Sequence, residues 1–245
     1  MSNVINVHDL NPYEKRYVVF IDILGFTRYV ERSVTDSKLY GKIQDSITMF
    51  DKIKQAYQEQ SKKNNDDVRI STFSDSLVIS FPESAHPKNI IISLNWIHNL
   101  FSQTMDFLLR GGLTYGLIFH SDNRVFGPAF IRAYELESDI AKNPRIIIDT
   151  NITRSEINNK TTLGTLLEAM DVCKKDDDEE FSYCNFIQGI HPQDLEHMIN
   201  SKHEQFVKIK NDLDLESEIG KNIVSKWSWF IDKLNDGRTS MIEEI

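Results

Sequence analysis

Tyr17-Val18-Val19-Phe20-Ile21-Asp22-Ile23-Leu24-Gly25-Phe26-Thr27 is the stretch on which the fold of this chain turns. From Tyr17 to Leu24 it is a near-continuous apolar run rich in β-branched residues, the pattern of a strand buried on both faces. Gly25 stops the run, and Thr27 offers an N-cap for a helix beyond it. Asp22 is the anomaly, because an ionised carboxylate inside such a strand is costly unless paired or bound to a cation. The strand alone leaves two readings open: a strand-end carboxylate held by backbone amides, or a metal ligand.

Outward from that strand, helix and strand alternate. Leu39, Ile43, Ile47, Phe50 and Tyr57 recur at mostly three- or four-residue spacing and predict an amphipathic helix over 36–60. Two short strands, 68–73 and 77–81, flank Ser74-Asp75-Ser76 as a hairpin. A strongly apolar helix over 89–109 leads to a strand over 111–119, a polar turn at 120–123 and a return to Phe126. Gly127-Pro128 opens a helix running to about 141, since proline is at home in the first turn, and Arg145-Ile146-Ile147-Ile148-Asp149 is a further buried strand. The run Lys174-Lys175-Asp176-Asp177-Asp178-Glu179-Glu180 reads as a solvated loop rather than an ion site. One more strand is expected near 183–187, then helices over 193–213 and 218–234. The second carries Ile223, Trp227, Phe230, Ile231 and Leu234 on one stripe. A β-α-β-β-α-β order with a central hairpin is the ferredoxin-like arrangement, so the expected class is α+β. The expected division is an N-terminal segment, 1–15, a main domain, 16–190, and a C-terminal helical extension packing on the core, 191–245.

The composition narrows the partners. The chain has 245 residues, 40% of them hydrophobic, and sets 28 Lys+Arg against 37 Asp+Glu, a net charge of −9. That balance disfavours polymeric nucleic acid, which needs a basic face. No run is long and apolar enough for a membrane span, and the polar start does not read as a signal peptide. Cys173 and Cys184 make no disulfide framework and suit a reducing compartment, so a cytoplasmic protein is expected. The seven histidines are scattered without metal-ligand spacing and read as surface or internally satisfied side chains.

Asp75, alone, is ordinary turn chemistry. In a ferredoxin-like sheet, however, the first strand lies beside the central hairpin, so the end of that strand and the hairpin turn meet. Two carboxylates converging there form the minimal oxygen site for Mg²⁺ or Mn²⁺, to which the backbone carbonyl of Ile23 can add a ligand. Gly25, Phe26 and Thr27 lead into a helix start whose free N–H groups suit phosphate oxygens. A two-metal, phosphate-receiving edge implies phosphoryl or nucleotidyl transfer.

Phe20-Ile21-Asp22-Ile23-Leu24-Gly25-Phe26-Thr27 resembles the metal-binding segment of class III nucleotidyl cyclases, and Phe73-Ser74-Asp75-Ser76 resembles their second metal-binding turn. Arg110-Gly111-Gly112-Leu113-Thr114-Tyr115-Gly116, then Gly127 and Ala133-Tyr134-Glu135-Leu136-Glu137, look like later parts of the same catalytic core. The resemblance spans roughly 14–150. It is nearer to the bacterial pyrimidine cyclases of Pycsar anti-phage systems, through Arg110-Gly111-Gly112, the 133–137 and 144–149 segments and Lys226-Trp227-Ser228-Trp229.

The resemblance implies a phosphorus–oxygen lyase, a homodimer with active sites at the interface, and a cyclic pyrimidine nucleotide. It also implies a separate effector that the product activates during phage infection. Asp22 and Asp75 would hold two Mg²⁺ or Mn²⁺ ions. The places of the purine cyclases' Asn and Arg hold Ile131 and Glu135, so Arg132 is the substitute contact for the α-phosphate, against a plain Arg132–Glu135 surface pair. The purine-reading positions hold Ser71 and Arg124. Arginine donates only, which suits the carbonyl oxygens of uracil and favours UTP over CTP and both over ATP. Arg110, Arg124, Arg132 and Arg145 are expected to gather around the anionic substrate. Conversion of UTP to cyclic UMP and diphosphate is therefore the expected reaction. A cytidylate cyclase and an inactive cyclase-like nucleotide-binding or interaction module are the alternatives.

Overall fold

The computed structural model describes residues 12–243 except 65, 123, 159, 160 and 177–179. Strand β1 (Glu14–Ile23) is followed by helices α1 (Phe26–Ser33) and α2 (Ser37–Asn64), the hairpin β2 (Arg69–Phe73) and β3 (Ser76–Pro82), helix α3 (Pro87–Thr104) and the long strand β4 (Leu109–Ser121). These four strands lie in the order β2-β3-β1-β4, each neighbour antiparallel, which is the ferredoxin-like arrangement expected. Strand β5 (Arg124–Phe126) folds back on β4, and helix α4 (Pro128–Glu135) runs into a π-helical turn, Leu136–Ile140. Strand β6 (Ile146–Ile148) adds to β4 in parallel.

Beyond it come α5 (Thr150–Thr153), the small pair β7 (Glu156–Asn158) and β8 (Thr161–Thr162), α6 (Leu163–Ala169), then β9 (Cys173–Lys175) and β10 (Ser182–Cys184), which extend the main sheet past β6. Helices α7 (Pro192–Asn211) and α8 (Glu218–Glu243) close the described chain. Among the described residues no helix is long and apolar enough to cross a membrane.

The β1 run is buried on both faces because each face has its own helical cover. Val19, Ile21 and Ile23 pack with Leu77 and Ile79 against α2 and α3, through Phe50, Ile53, Leu94 and Phe101. Val18 and Phe20 face the other way, onto Ala129 and Ala133 of α4. That side is tight: a Cβ on Gly112 would meet the Cβ of Leu136 at 2.4 Å and the Ala133 carbonyl at 2.5 Å. The bare backbone at Gly112 is what lets α4 and its π-helical turn lie flat on β4. Helices α7 and α8 form a separate apolar cluster with Leu108 and Phe186, centred on Trp227, Phe230 and Leu234.

Four expectations are corrected. The helix after β1 is capped by Gly25, in the left-handed region at φ 77°, with no side-chain cap, so Thr27 lies inside the first turn and does not cap it. Helix α3 ends at Thr104 rather than near 109, because Leu108 and Leu109 are recruited to the sheet: Leu24 N–H donates to the Leu108 carbonyl and Leu109 pairs with Ile23. The charge run beginning at Lys174 is not simply a solvated loop. Lys174 and Lys175 belong to β9, and Asp176 is buried in an ion pair with Arg145, while 177–179 lie outside the described residues. Arg145 is consequently unavailable to a substrate. Its guanidinium lies 5.5 Å from the Trp229 ring centroid and 5.9 Å from that of Tyr183, clasping α8 to the sheet.

Two histidines are internal parts of this architecture, as their lack of ligand spacing suggests. His98 stacks on Phe186 with ring centroids 4.5 Å apart, and burial pushes its pKa down to about 4. His120 bridges the Ser71 hydroxyl at 3.0 Å and the Ser80 hydroxyl at 2.8 Å; burial, then the Arg16 and Arg69 charges, bring it also to about 4. Both are neutral in the fold and gain a proton on unfolding below the ordinary value of about 6.5. Their contribution is therefore complete above pH ~6.5 and is lost as pH falls toward 4. Thermal unfolding is expected to show a loss of roughly 2 kcal/mol per histidine between pH 7 and 5, with His98→Phe losing less than the parent chain. Equal acid sensitivity in the two proteins would contradict this.

Candidate active site

The sheet builds the site by placing three strand ends side by side. Asp22, the penultimate residue of β1, pairs with Ser76 of β3 on one side and Arg110 of β4 on the other. The two-residue turn Ser74-Asp75 joins β2 to β3, with Ser74 held at φ 52°. A positive φ at the first central position matches a type II′ hairpin turn, which aims the chain back along the twisted sheet. The Ile23 N–H donates to the Asp75 carbonyl at 3.2 Å, fastening the turn to the end of β1. Because Leu24 bonds toward β4, ladder alternation turns the main chain of Ile23 toward the hairpin.

The two aspartates thus meet as the sequence leads one to expect. Asp22 accepts from the Ser76 hydroxyl at 3.2 Å and stands 3.6 Å from the Arg110 guanidinium. Arg110 is simultaneously an ion-pair partner of buried Glu137, from the π-helical turn. Burial first, then the charge and hydrogen bond of Asp75, then Glu137, push the Asp22 carboxyl up to about 7, with Arg110 opposing. Glu137 is also raised, by burial, against the pull of Arg110. Three carboxylates against one guanidinium leave an excess of negative charge and hard oxygen donors in a half-buried space.

That donor chemistry fits a hard divalent cation, which would relieve the Asp22–Asp75 repulsion. Among the described residues no group of three or more His, Cys, Asp and Glu side chains stands in metal-holding geometry, so further ligands would come from carbonyls, water or a bound phosphate. Gly25, the N-cap of α1, and Phe26 and Thr27 of its first turn follow within five residues of Asp22, and no side chain caps that turn, which leaves its backbone N–H groups without a side-chain acceptor.

The other expected residues are placed differently. Ser71 is buried on β2 with its hydroxyl engaged by His120, so it is not free to read a base. Arg124 opens β5 on the β4–β5 hairpin, exposed. Arg132 is committed within the chain: Nε donates to Asp149 Oδ2 at 3.0 Å and Nη2 to Oδ1 at 2.9 Å, a bidentate pair. Burial alone would raise Asp149, but the Arg132 and Thr114 hydrogen bonds hold it below the usual carboxylate range. The Arg132–Glu135 contact also exists, at 3.7 Å, as the weaker member of the set. Reaching a phosphate would require Arg132 to abandon Asp149, so the expected free arginine is absent from the described arrangement. Of the four arginines expected to gather around the substrate, Arg110, Arg132 and Arg145 already hold carboxylates, and Arg124 is exposed on β5.

No family model and no curated protein matches the chain. Among solved structures, the adenylyl cyclase CyaB from P. aeruginosa is similar at 18% identity over 67% of this chain and 85% of that one, with a TM-score of 0.43. The monomeric guanylyl cyclase domain of the RhoGC fusion protein from the aquatic fungus Blastocladiella emersonii is similar at 18% identity over 70% and 94%, TM-score 0.43. A bacterial light-regulated adenylyl cyclase is similar at 15% identity over 57% and 77%, TM-score 0.41. At this identity and degree of superposition the likeness reaches no individual residue of the site.

Proposed function

We propose that the Asp22–Asp75 edge is the catalytic centre of a nucleotidyl cyclase that converts UTP to 3′,5′-cyclic UMP and diphosphate. The carrying observation is the meeting of two otherwise unmotivated carboxylates where β1 ends against the β2–β3 turn. Asp22 and Asp75, with the Ile23 carbonyl, would hold two Mg²⁺ or Mn²⁺ ions. When bound, such ions acidify a ribose hydroxyl and neutralise triphosphate charge. The chain itself supplies positioning. Arg110 keeps Asp22 oriented, and the Gly25-Phe26-Thr27 amides receive phosphate oxygens. In the reaction the 3′-oxygen bonds to the α-phosphorus and the α–β bridging bond breaks. Diphosphate leaves with the electron pair, and the hydroxyl proton passes to solvent.

The active form proposed is a homodimer. Ile131 and Tyr134 of α4 are 57% and 51% exposed, and Phe126 on β5 is 45% exposed, an apolar set that a second copy could cover. Exposed Arg124 is offered as the uracil-reading donor to a site it shares across that interface, with CTP as the second substrate. A role as second-messenger synthase in anti-phage defence, acting through a separate effector, rests on the sequence resemblance alone.

The test is incubation with each of the four nucleoside triphosphates and Mn²⁺, with products identified by mass. Cyclic UMP in excess of cyclic CMP is expected, and no cyclic nucleotide from any of them would leave the inactive-module reading in its place. Arg124→Gln is expected to change the UTP/CTP product ratio severalfold; an unchanged ratio would remove Arg124 from base reading.

A further inference from the structure

Leu24 and Gly25 form one end of a largely apolar cleft of about 80 Å³ between α1 and the two C-terminal helices. Its cationic members are Arg28 and Arg32 of α1 and Lys226 of α8, and among the described residues no carboxylate lines it. Among the described residues, one guanidinium nitrogen of Arg28, Nη1, is buried without a hydrogen-bond partner, which is costly for a charged donor unless an acceptor arrives. Arg32, partly exposed, makes a 3.5 Å contact with exposed Asp212.

Lys226 sits on α8 beside Trp227, which anchors that helix in the apolar cluster shared with Leu108. Burial, then the Arg110 charge, lower its pKa, with Glu137 opposing. The same Arg110 contacts Asp22, so the cleft's cations and the aspartate edge share one electrostatic neighbourhood. The main chain joins them as well: Leu24 N–H bonds to the Leu108 carbonyl, two residues beyond Asp22.

We propose that Arg28 and Lys226 form a subsite for the terminal phosphates of the nucleoside triphosphate, so that the C-terminal helix α8 is part of the substrate site. This rests on the nucleotide reading given above. A triphosphate whose α-phosphate lies at the aspartate edge needs acceptor-hungry cations a few ångströms further on. The carboxylate-free cleft next to Gly25 is where the described chain collects them. Arg110 cannot serve, being held by Asp22 and Glu137.

Calorimetric titration of the full chain with inorganic tripolyphosphate in Mg²⁺, and separately with UMP, tests this without turnover. Arg28→Gln and Lys226→Gln are each expected to weaken tripolyphosphate binding about tenfold, with the affinity for UMP unchanged and Lys226→Arg restoring most of the loss. Circular dichroism and unfolding temperature establish that each variant is folded. Wild-type binding of tripolyphosphate with both Gln variants within twofold of it would overturn the subsite while sparing the nucleotide reading. Failure of the unmodified chain to bind either tripolyphosphate or any nucleoside triphosphate would overturn both.

Discussion

Asp75→Asn is expected to abolish cyclic-nucleotide formation by on the order of a thousandfold, about 4 kcal/mol of barrier, while leaving the fold intact. The carboxylate lies at a two-residue turn and its backbone, not its side chain, accepts the Ile23 N–H, so the amide replacement keeps the hairpin closed. Asp22→Asn is expected to lose activity equally but to differ in stability. The Asp22 carboxyl is raised to about 7 from an ordinary 3.8, so below pH ~4 it is protonated both folded and unfolded and carries no penalty. As pH rises through 7 the folded protein must ionise it against burial and Asp75. With chelator present, Asp22→Asn should therefore be more stable than the parent above pH 7, by roughly 1–2 kcal/mol, the advantage vanishing toward pH 4. Unfolding in EDTA at pH 8 and pH 4 measures it. A variant less stable than the parent at pH 8 would refute the crowded-carboxylate picture.

The largest stability effect is expected at Arg145. Replacing it by Met leaves Asp176 as a buried carboxylate without its guanidinium and removes the cation seated over Trp229, at a cost of about 3–5 kcal/mol. The double variant Arg145→Met/Asp176→Leu should recover much of that loss, because a buried pair replaced by apolar groups of similar size is often near neutral. Denaturant unfolding of the single and double variants checks this. A double variant as unstable as the single one would show that the Arg145 contacts to the α8 aromatics, rather than the ion pair, carry the energy.

How far the sequence could be read follows from the range of each interaction. Asp22 and Asp75 were legible because each breaks a local rule, a charge in an apolar strand and an acid at a hairpin tip. The antiparallel order of β1 and β3 then forces them together. The strand and helix order up to β6 was legible for the same reason, periodicity being local, whereas the short elements from α5 to β9 carry too few residues each to show a period. The Arg145–Asp176 pair was not, since its members are 31 residues apart and Asp176 is camouflaged at the head of an acidic run. Arg132 likewise looked like half of a helical i,i+3 pair, because Asp149 becomes its neighbour only when β6 joins β4. The Thr27 cap failed because a left-handed glycine can start a helix without any side-chain acceptor. Arg28 gave no signal, and Lys226 only as part of the Lys226-Trp227-Ser228-Trp229 resemblance: basic residues on amphipathic helices read as solvated until α1 and α8 come to line one cleft.

The proposed chemistry stands on the carboxylate pair, and direct cation binding tests that pair without assuming a substrate. Mn²⁺ titration followed by electron paramagnetic resonance, on the full chain and on Asp22→Asn and Asp75→Asn, reads the site itself. Saturable Mn²⁺ binding in the parent, lost in both variants while their circular dichroism is unchanged, is the predicted result. Mn²⁺ binding of equal affinity in all three proteins, or none in the parent even with UTP present, would contradict it.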